Sequence, residues 1–578
     1  MEGCNMKKNL LAFVSIIVVI LSVISIPLLA NKQELVPQAM GVTTNWTYQI
    51  GPWGADHRQS PNVADLDGDG NLEVLMGSVG SDILFCLNHD GTQKWNFSNF
   101  GTPMFYTAVA DLEGDGQFEI VLASFTNFIT CLNSSGGFLW SANAGGASYS
   151  LSSWAPTIAD LDGDGHMEII VCSNDGNPPY GGKVFCFNST GAKIWEFATD
   201  TDIFSSVAVG DLDLDGKLEV VTVSFGTGNL YCLDEKGAKQ WNNTLEYPYG
   251  YIQSSPAIGD LDGDGTLEII VASVLNNIYC VSNLGVLKWN RTTPGSFSSP
   301  ALGDLDGNGK LEIVVGDNSG GVMCLNYNGT IRWQDPLVPG SNVESSPALA
   351  DLDNDGTLEI IVGAADNYTY CLRDHQDPLQ RKVWSIKTGY IVFSSPCVAD
   401  LNNDGILEIL ISSFDCILYC LGLTGVTSSG TAPWYCYQGS LFHTGQMDSD
   451  GDWLDDVTEN FYSTQSSVWD SDADGFSDGQ EVFAGTDPNN ASSYPSWPTT
   501  TSPVTTPPPT TTSPPPTTTS PSPTTNTSAP PSTTTSPPTT SSSLFPTGFI
   551  SALSIMLTMG ALAVIAAVVL GISHRRKK

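Results

Sequence analysis

Between residues 254 and 292 the chain alternates apolar runs and polar breaks in a fixed grammar. Small residues lead into an acidic string (SSPAIGDLDGDG, 254–265), and a continuous β-branched run follows (LEIIVAS, 267–273). A second short apolar run comes next (NIYCVSN, 277–283), then a glycine turn, then a run carrying tryptophan (VLKWNRT, 286–292). Runs this short, bounded by turn residues and lacking helical periodicity, predict four β-strands. The grammar occurs eight times, with acidic strings starting at Asp65, Asp111, Asp160, Asp211, Asp260, Asp304, Asp351 and Asp400, about 48 residues apart. That period suits a propeller blade, whereas the rungs of an open β-solenoid are usually much shorter. The pattern predicts an all-β, eight-bladed β-propeller over residues 31–447, closed into a ring.

Each string places oxygen donors at positions 1, 3, 5, 7 and 9, with glycine at 6. A hard cation such as Ca²⁺ takes six to eight oxygens at ~2.3–2.6 Å, and a tight turn brings alternate side chains to one centre. The candidate ligands are Asp65, Asp67, Asp69, Asn71 and Glu73 in the first string, and Asp111, Glu113, Asp115, Gln117 and Glu119 in the second. The third holds Asp160, Asp162, Asp164, His166 and Glu168; the fourth holds Asp211, Asp213, Asp215, Lys217 and Glu219. Asp260, Asp262, Asp264, Thr266 and Glu268 form the fifth, and Asp304, Asp306, Asn308, Lys310 and Glu312 the sixth. The last two are Asp351, Asp353, Asp355, Thr357 and Glu359, and Asp400, Asn402, Asp404, Ile406 and Glu408. Position 7 varies freely, as a main-chain carbonyl ligand allows, whereas position 9 is always glutamate and position 2 always a leucine expected to face the core. One acidic turn could exist without metal. Eight copies favour a cation, because carboxylates so close repel one another unless neutralised. About eight Ca²⁺ are therefore expected, with weaker sites where Asn308 and Asn402 replace aspartate.

These DxDxDGxxE strings between two strands resemble the FG-GAP-type repeats of integrin α-subunit propellers, over about residues 44–447. The resemblance implies calcium loops in a propeller. Glutamate at position 9 departs from the aspartate common in that family, and eight repeats exceed the integrin seven, so an integrin-like partner is not implied.

Eight of the thirteen cysteines share one repeat position: Cys86, Cys131, Cys186, Cys232, Cys280, Cys324, Cys371 and Cys420. Equivalent positions on neighbouring blades lie beyond the ~7 Å Cα limit for a bridge, so these read as core residues. Cys172 with Cys186, and Cys416 with Cys436, are possible disulfides. Tryptophan recurs at Trp95, Trp140, Trp195, Trp241, Trp289, Trp333, Trp384 and Trp434. It resembles the G-x-x-x-W ends of quinoprotein propeller repeats, where the ring packs between blades. Trp46 is a ninth copy and suggests that an N-terminal strand helps to close the ring, on a blade left open at this point.

A different spacing begins at residue 448. Asp448, Asp450, Asp452, Asp456 and Glu459 occupy positions 1, 3, 5, 9 and 12, as do Asp470, Asp472, Asp474, Asp478 and Glu481. This is EF-hand-like ligand spacing. Residues 448–493 resemble thrombospondin type 3 calcium repeats of microbial surface proteins, which implies up to two further Ca²⁺. Trp453 stands where glycine is expected in the first loop. A dockerin is the alternative, disfavoured by the 22-residue spacing.

Charge and termini place the body outside the cell. The net charge of −39 argues against nucleic acid, and 40 of the 61 acidic residues lie in these strings, where bound cations would offset them. Residues 1–30 read as a secretory signal peptide, with Lys7 and Lys8 before an apolar run. Residues 494–543 form a Thr/Pro/Ser-rich stalk. Residues 544–573 include Gly548 to Ile572, a stretch without charge that as a helix spans ~37 Å, enough for a membrane. The basic tail 574–578 is expected in the cytoplasm. Together these resemble the C-terminal anchors of archaeal surface proteins and predict a single-pass, monomeric cell-surface protein. Ten N-x-S/T sequons, at Asn45, Asn96, Asn133, Asn188, Asn242, Asn290, Asn328, Asn367, Asn490 and Asn526, agree with an exterior location.

There is no HExxH and no convincing G-x-S-x-G motif. The expected role is therefore non-catalytic: adhesion or binding of an extracellular protein or glycan, with structural calcium. A surface-tethered polysaccharide lyase is the alternative, with His57, Arg58, Lys183 and Arg332 as scattered candidates for its base and neutralising groups. A quinone-cofactor dehydrogenase is a third reading, suggested by the tryptophan repeat.

Overall fold

The computed structural model describes residues 40–493, except 53–58, 79–81, 99–103, 125–126, 145–149, 152–154, 175–180, 246–250, 339–340, 441, 451, 453, 467, 475 and 484–485. The expected signal peptide, stalk, membrane span and basic tail, and with them His57, Arg58 and Trp453, lie outside the described residues. Among the described residues no helix is long and apolar enough to cross a membrane.

Eight antiparallel sheets form eight blades. Blade 1 consists of Asn62–Ala64, Glu73–Ser78, Ile83–Leu87 and Gln93–Ser98. Blades 2 to 7 repeat that order, and blade 3 carries an additional two-residue strand, Ser150–Leu151. Blade 8 takes three strands from Cys397–Ala399, Glu408–Ser413 and Ile417–Thr424, and its fourth, outermost strand from the N-terminus, Gly41–Gln49. The ring is thus sealed by pairing the two ends of the propeller.

Burial follows position in the blade. Second strands such as Glu268–Ala272 are buried at every residue, because they are covered by a neighbouring blade on both faces, and their unbroken β-branched runs reflect this. Fourth strands such as Leu287–Thr292 alternate between half-buried and exposed. The leucine at position 2 of every string is buried, from Leu66 to Leu401. All described cysteines are free, so neither Cys172–Cys186 nor Cys416–Cys436 forms a bridge. Within blade 3 it is Val184 that faces Cys172, while Cys186 faces Ile170.

In each blade the shared-position cysteine lies opposite a fourth-strand tryptophan, as in Cys86 with Trp95 and Cys280 with Trp289. Cys420 of blade 8 faces Trp46, not Trp434. Trp46 is therefore the eighth blade tryptophan, and Trp434 does another job. Six of the indoles pack against the turn glycine of the next blade, among them Trp46 on Gly91, Trp95 on Gly136 and Trp241 on Gly285, whereas Trp333 Nε1 donates to Asp374 Oδ1 at 2.6 Å. Trp46 Nε1 donates to His89 O at 2.8 Å, and Trp241 Nε1 to Asn283 O at 3.0 Å. The inner strands are joined by a relay of serines: Ser255 N donates to Ser299 Oγ, Ser299 N to Ser346 Oγ, Ser346 N to Ser395 Oγ, and Ser395 N to Ser60 Oγ across the seam.

Residues 431–446 fill the propeller axis as a hairpin. The inner strands would otherwise leave backbone donors and acceptors facing an empty channel, and this segment satisfies them. Leu349 N donates to Trp434 O, Val398 N to Tyr435 O, Ile158 N to Phe442 O, Val209 N to Thr444 O and Ile258 N to Gly445 O, at 2.8–3.0 Å. Trp434, Tyr435, Phe442 and Thr444 are fully buried or nearly so. The hairpin starts and ends beside the acidic strings, since Asp351 N donates to Thr431 O and Asp448 N returns to Pro433 O. Its tip carries Tyr437, whose hydroxyl lies 2.8 Å from Ser255 Oγ toward the opposite face.

Candidate functional site

Every acidic string connects the inner strand of a blade to its second strand, so the strings share one face of the ring. The position-1 aspartate organises the turn. Asp65 Oδ1 accepts from Gly68 N at 2.8 Å and its Oδ2 from Gly70 N at 2.8 Å. Glycine at position 6 takes positive φ throughout, 85° at Gly70 and 84° at Gly216, which explains its invariance among the repeats. The position-5 aspartate accepts from the amide of position 7, as Asp164 Oδ1 does from His166 N at 3.0 Å and Asp404 Oδ1 from Ile406 N at 3.0 Å. The bond common to these turns is made by the position-7 amide, and where the side chain can donate it adds a second bond to the same aspartate, as Asn71 Nδ2 does to Asp69 at 2.9 Å and Thr266 Oγ1 to Asp264 at 2.6 Å.

Position 9 has two functions. Glu168 Oε2 accepts from Leu161 N at 3.0 Å, and the same bond recurs in every blade, to Glu359 from Leu352 and to Glu408 from Leu401 among them. The other oxygen remains to face the loop. Carboxylate oxygens of positions 1, 3 and 9 gather within 4.8 Å of one another, as in Asp65, Asp67 and Glu73, or Asp211, Asp213 and Glu219. Burial raises the carboxyls of Glu168, Glu359 and Glu408 to about 8, with neighbouring aspartates adding to the rise. Such groups hold a proton near neutrality unless a cation stabilises the charged form.

The strings are also wired to one another. In blades 1, 3, 4 and 6 the amide of position 8 donates to the position-2 carbonyl of the preceding blade, as Leu218 N does to Leu161 O at 3.1 Å and Leu72 N to Leu401 O at 2.9 Å across the seam. In blade 8 Ser429 Oγ relays the link from Leu407 N to Leu352 O. A cation in any loop would brace a blade and its junction with the next.

The two later loops form a helix-containing lobe on the same face. The Tyr462 hydroxyl lies near enough to Asp111 and Glu119 for their charges to raise it, which places the lobe beside the second string. Helices Asp456–Tyr462 and Asp478–Phe483 carry the closing residues Glu459 and Glu481. Asp456 is held by Ser449 N at 2.9 Å and Ser449 Oγ at 2.8 Å, and Asp478 by Ser471 N at 2.8 Å and Ser471 Oγ at 2.6 Å. By contrast, both carboxylate oxygens of Asp450, Glu459 and Glu481 are buried without a hydrogen-bond partner. Burial and the surrounding aspartates raise Glu459 to about 10 and Glu481 to about 8. Orphaned acceptors converging in this way suit a divalent cation. Sequence reading missed Asp455. It is fully buried, accepts from Thr444 Oγ1 at 2.9 Å and Thr458 N at 3.0 Å, bonds to Ser440 as well, and so latches the lobe to the axial hairpin.

On the opposite face, the axis opens into a small, shallow depression open to solvent. Its rim includes Tyr106, Gln253, Phe297, Glu344 and Phe393, and Tyr437 at the hairpin tip forms part of its wall. Of the residues weighed for a lyase, the two that are described, Lys183 and Arg332, are held elsewhere. Lys183 pairs with Glu196 at 2.6 Å on blade 3, and Arg332 with Asp374 at 2.5 Å between blades 6 and 7.

Comparison with known proteins agrees with this geometry. The FG-GAP-like repeat matches residues 65–122, 111–171, 211–271 and 304–362, and the bacterial TSP3 repeat matches 470–491. No curated protein sequence matches the chain. Among solved structures, the V. cholerae biofilm matrix protein Bap1 is 14% identical, with a TM-score of 0.51 over 70% of this chain and 96% of that one. A europium-containing methanol dehydrogenase is 11% identical, with a TM-score of 0.51 over 66% and 93%. BamB from Moraxella catarrhalis is 17% identical, with a TM-score of 0.46 over 66% and 98%. Likenesses this distant speak to the fold alone. The chain carries FG-GAP-like repeats and a bacterial TSP3 repeat, the former on an eight-bladed propeller.

Proposed function

We propose that this protein is a calcium-stapled binding or adhesion module displayed on a cell surface. The observation that carries the calcium reading is a buried glutamate in every blade, which in blades 1, 3, 4, 5 and 6 gathers with the position-1 and position-3 aspartates within 4.8 Å. When bound, calcium supplies the charge that lets these carboxylates ionise together. The chain's own residues do the rest: position 1 folds the turn, position 9 ties it to the leucine amide, and position 8 ties it to the neighbouring blade.

The face opposite the calcium loops is the ligand face in this reading. The lobe of residues 448–493 occupies the loop side, which leaves the opposite side of the disc to the rim of the axial depression, with aromatic rings beside Gln253 and Glu344. Such a mixture suits a glycan or a polar protein segment. Sequons at Asn45, Asn96, Asn242 and Asn290 fall on exposed outer-strand positions, so sugars there would coat the rim of the disc and leave both faces clear.

A test incubates the full chain in calcium with a panel of acidic and neutral polysaccharides, and follows polymer size and protein co-elution by chromatography. Intact polymer that co-elutes with protein is the expected result. Shortened polymer would replace this reading with the polysaccharide-lyase alternative. Intact polymer without co-elution would redirect the binding reading to a protein partner.

A further inference from the structure

The fourth strand of every blade contains a β-bulge at one place. In blade 1, Cys86 pairs with Trp95 and Leu87 with Gln93, so Lys94 is the extra residue. The same slip singles out Leu139, Ile194, Gln240, Lys288, Arg332, Val383 and Asn45 in the other blades. A bulge re-aims its extra side chain. Where that residue is basic, it points at the blade's own acidic string. Lys94 Nζ lies 2.9 Å from Glu73 Oε1 and also bonds Asp67. Lys288 Nζ lies 2.8 Å from Glu268 Oε1 and 3.3 Å from Asp262 Oδ2. Arg332 Nη1 lies 2.8 Å from Asp306 Oδ2. In blade 2 the equivalent Leu139 is largely exposed, and in blade 3 so is Ile194.

We propose that Lys94, Lys288 and Arg332 are resident cations that neutralise the strings of blades 1, 5 and 6, so that the eight loops divide into two calcium classes. This rests on the calcium reading above and concerns which loops take the metal. In blades 1 and 5 the ammonium contacts the same pair of groups, the position-3 carboxylate and the free oxygen of the position-9 glutamate, that a metal would bridge. A divalent ion entering there must displace a partly buried ion pair and the organised side chain that supplies it. Blades 2, 3, 4, 7 and 8 place no basic residue at the bulge, so metal is the main source of balancing charge for their carboxylates, with Arg373 adding positive charge near Asp353 and Glu359 in blade 7. The division differs from the one that ligand count alone implies, since blade 8 has an asparagine in its string and no resident cation, whereas blade 1 has a complete set of aspartates and has one. The three self-neutralised junctions would keep part of the ring braced when calcium is scarce.

The test is equilibrium calcium uptake by the full chain, measured as metal bound per protein at graded free calcium, with circular dichroism to establish folding. Lys94→Leu and Lys288→Leu copy the residue that blade 2 carries at this position. Each is expected to shift one calcium from the weak class to the tight class, and to lower melting temperature in chelator. The reciprocal change, Leu139→Lys, adds a cation at an exposed position that tolerates substitution. It is expected to remove one calcium from the tight class, with a drop in affinity of tenfold or more at that site. Calcium uptake that Leu139→Lys and Lys94→Leu both leave unchanged would overturn the inference while the calcium reading stands. Absence of calcium uptake by the unaltered chain would overturn both.

Discussion

Replacing Trp46 with alanine tests how the ring closes. Its indole lies against the Gly91 turn so tightly that a Cβ on Gly91 would come within 2.6 Å of the ring, and its Nε1 donates to His89 O at 2.8 Å. Tryptophan buries roughly 150–250 Å² when enclosed, and here about half that area is covered, roughly 100 Å². At ~25 cal/mol per Å² the lost burial costs about 2.5 kcal/mol, and the hydrogen bond adds ~0.5 kcal/mol because the freed carbonyl can reach water. A loss of about 3 kcal/mol corresponds to roughly a hundredfold. Gly41–Gln49 is the outer strand of blade 8 and pairs with one neighbour only, so the loss concentrates in its pairing with Ile417–Thr424. Hydrogen exchange read at the amides of 417–424 is expected to accelerate about a hundredfold in Trp46→Ala, with blades 3 to 5 little changed. Trp241→Ala, which breaks the corresponding contact inside the continuous chain, is expected to leave 417–424 protected. Unchanged exchange at 417–424 in Trp46→Ala would refute this account of the seam.

Asp455→Ala removes the acceptor shared by Thr444, Ser440 and Thr458 and the cap of helix Asp456–Tyr462. The lost cap and the stranded hydroxyls together cost about 3 kcal/mol, so limited proteolysis is expected to cut within 448–493 well before the blades. The buried position-9 glutamates give the calcium-free protein an inverted pH dependence. Their folded carboxyls, near 8 in Glu168, Glu359 and Glu408, lie above the ~4.3 of an unfolded glutamate, so the fold holds protons more tightly. That contribution is full below about pH 4 and is lost as pH rises through 8. In chelator, melting temperature is expected to fall between pH 5.5 and 8.5, and calcium to remove or reverse the trend. A rise with pH in chelator would contradict the assignment.

Much of the fold is legible in the sequence because each blade repeats the same local physics. The position-2 leucine, the glycine at 6 and the glutamate at 9 each answer to a bond or a φ angle inside one turn, so they recur visibly. The cysteine opposite the tryptophan is legible for the same reason. Three features were hidden. Trp434 stands 50 residues after Trp384 and imitates the repeat, yet it enters the axis because the strand it would complete is supplied by Gly41–Gln49. Spacing records order along the chain and does not record which distant strand fills a sheet edge. The axial hairpin, likewise, is specified by backbone donors of five different blades, none of which leaves a mark on residues 431–446. The bulge residue was invisible because no glycine or proline marks it. Only the paired register shows that Lys94, Lys288 and Arg332 stand at one place, aimed at the strings.

The most direct test of the calcium-stapled propeller is the melting of the full chain in calcium and in chelator at one pH. A metal that binds only the folded state at a hundred times its dissociation constant adds about 2.7 kcal/mol per site. Several sites acting at the blade junctions should therefore lower the melting temperature sharply on chelation, with hydrogen exchange rising first in the acidic strings. The same melting temperature and the same exchange pattern with and without calcium would contradict the account.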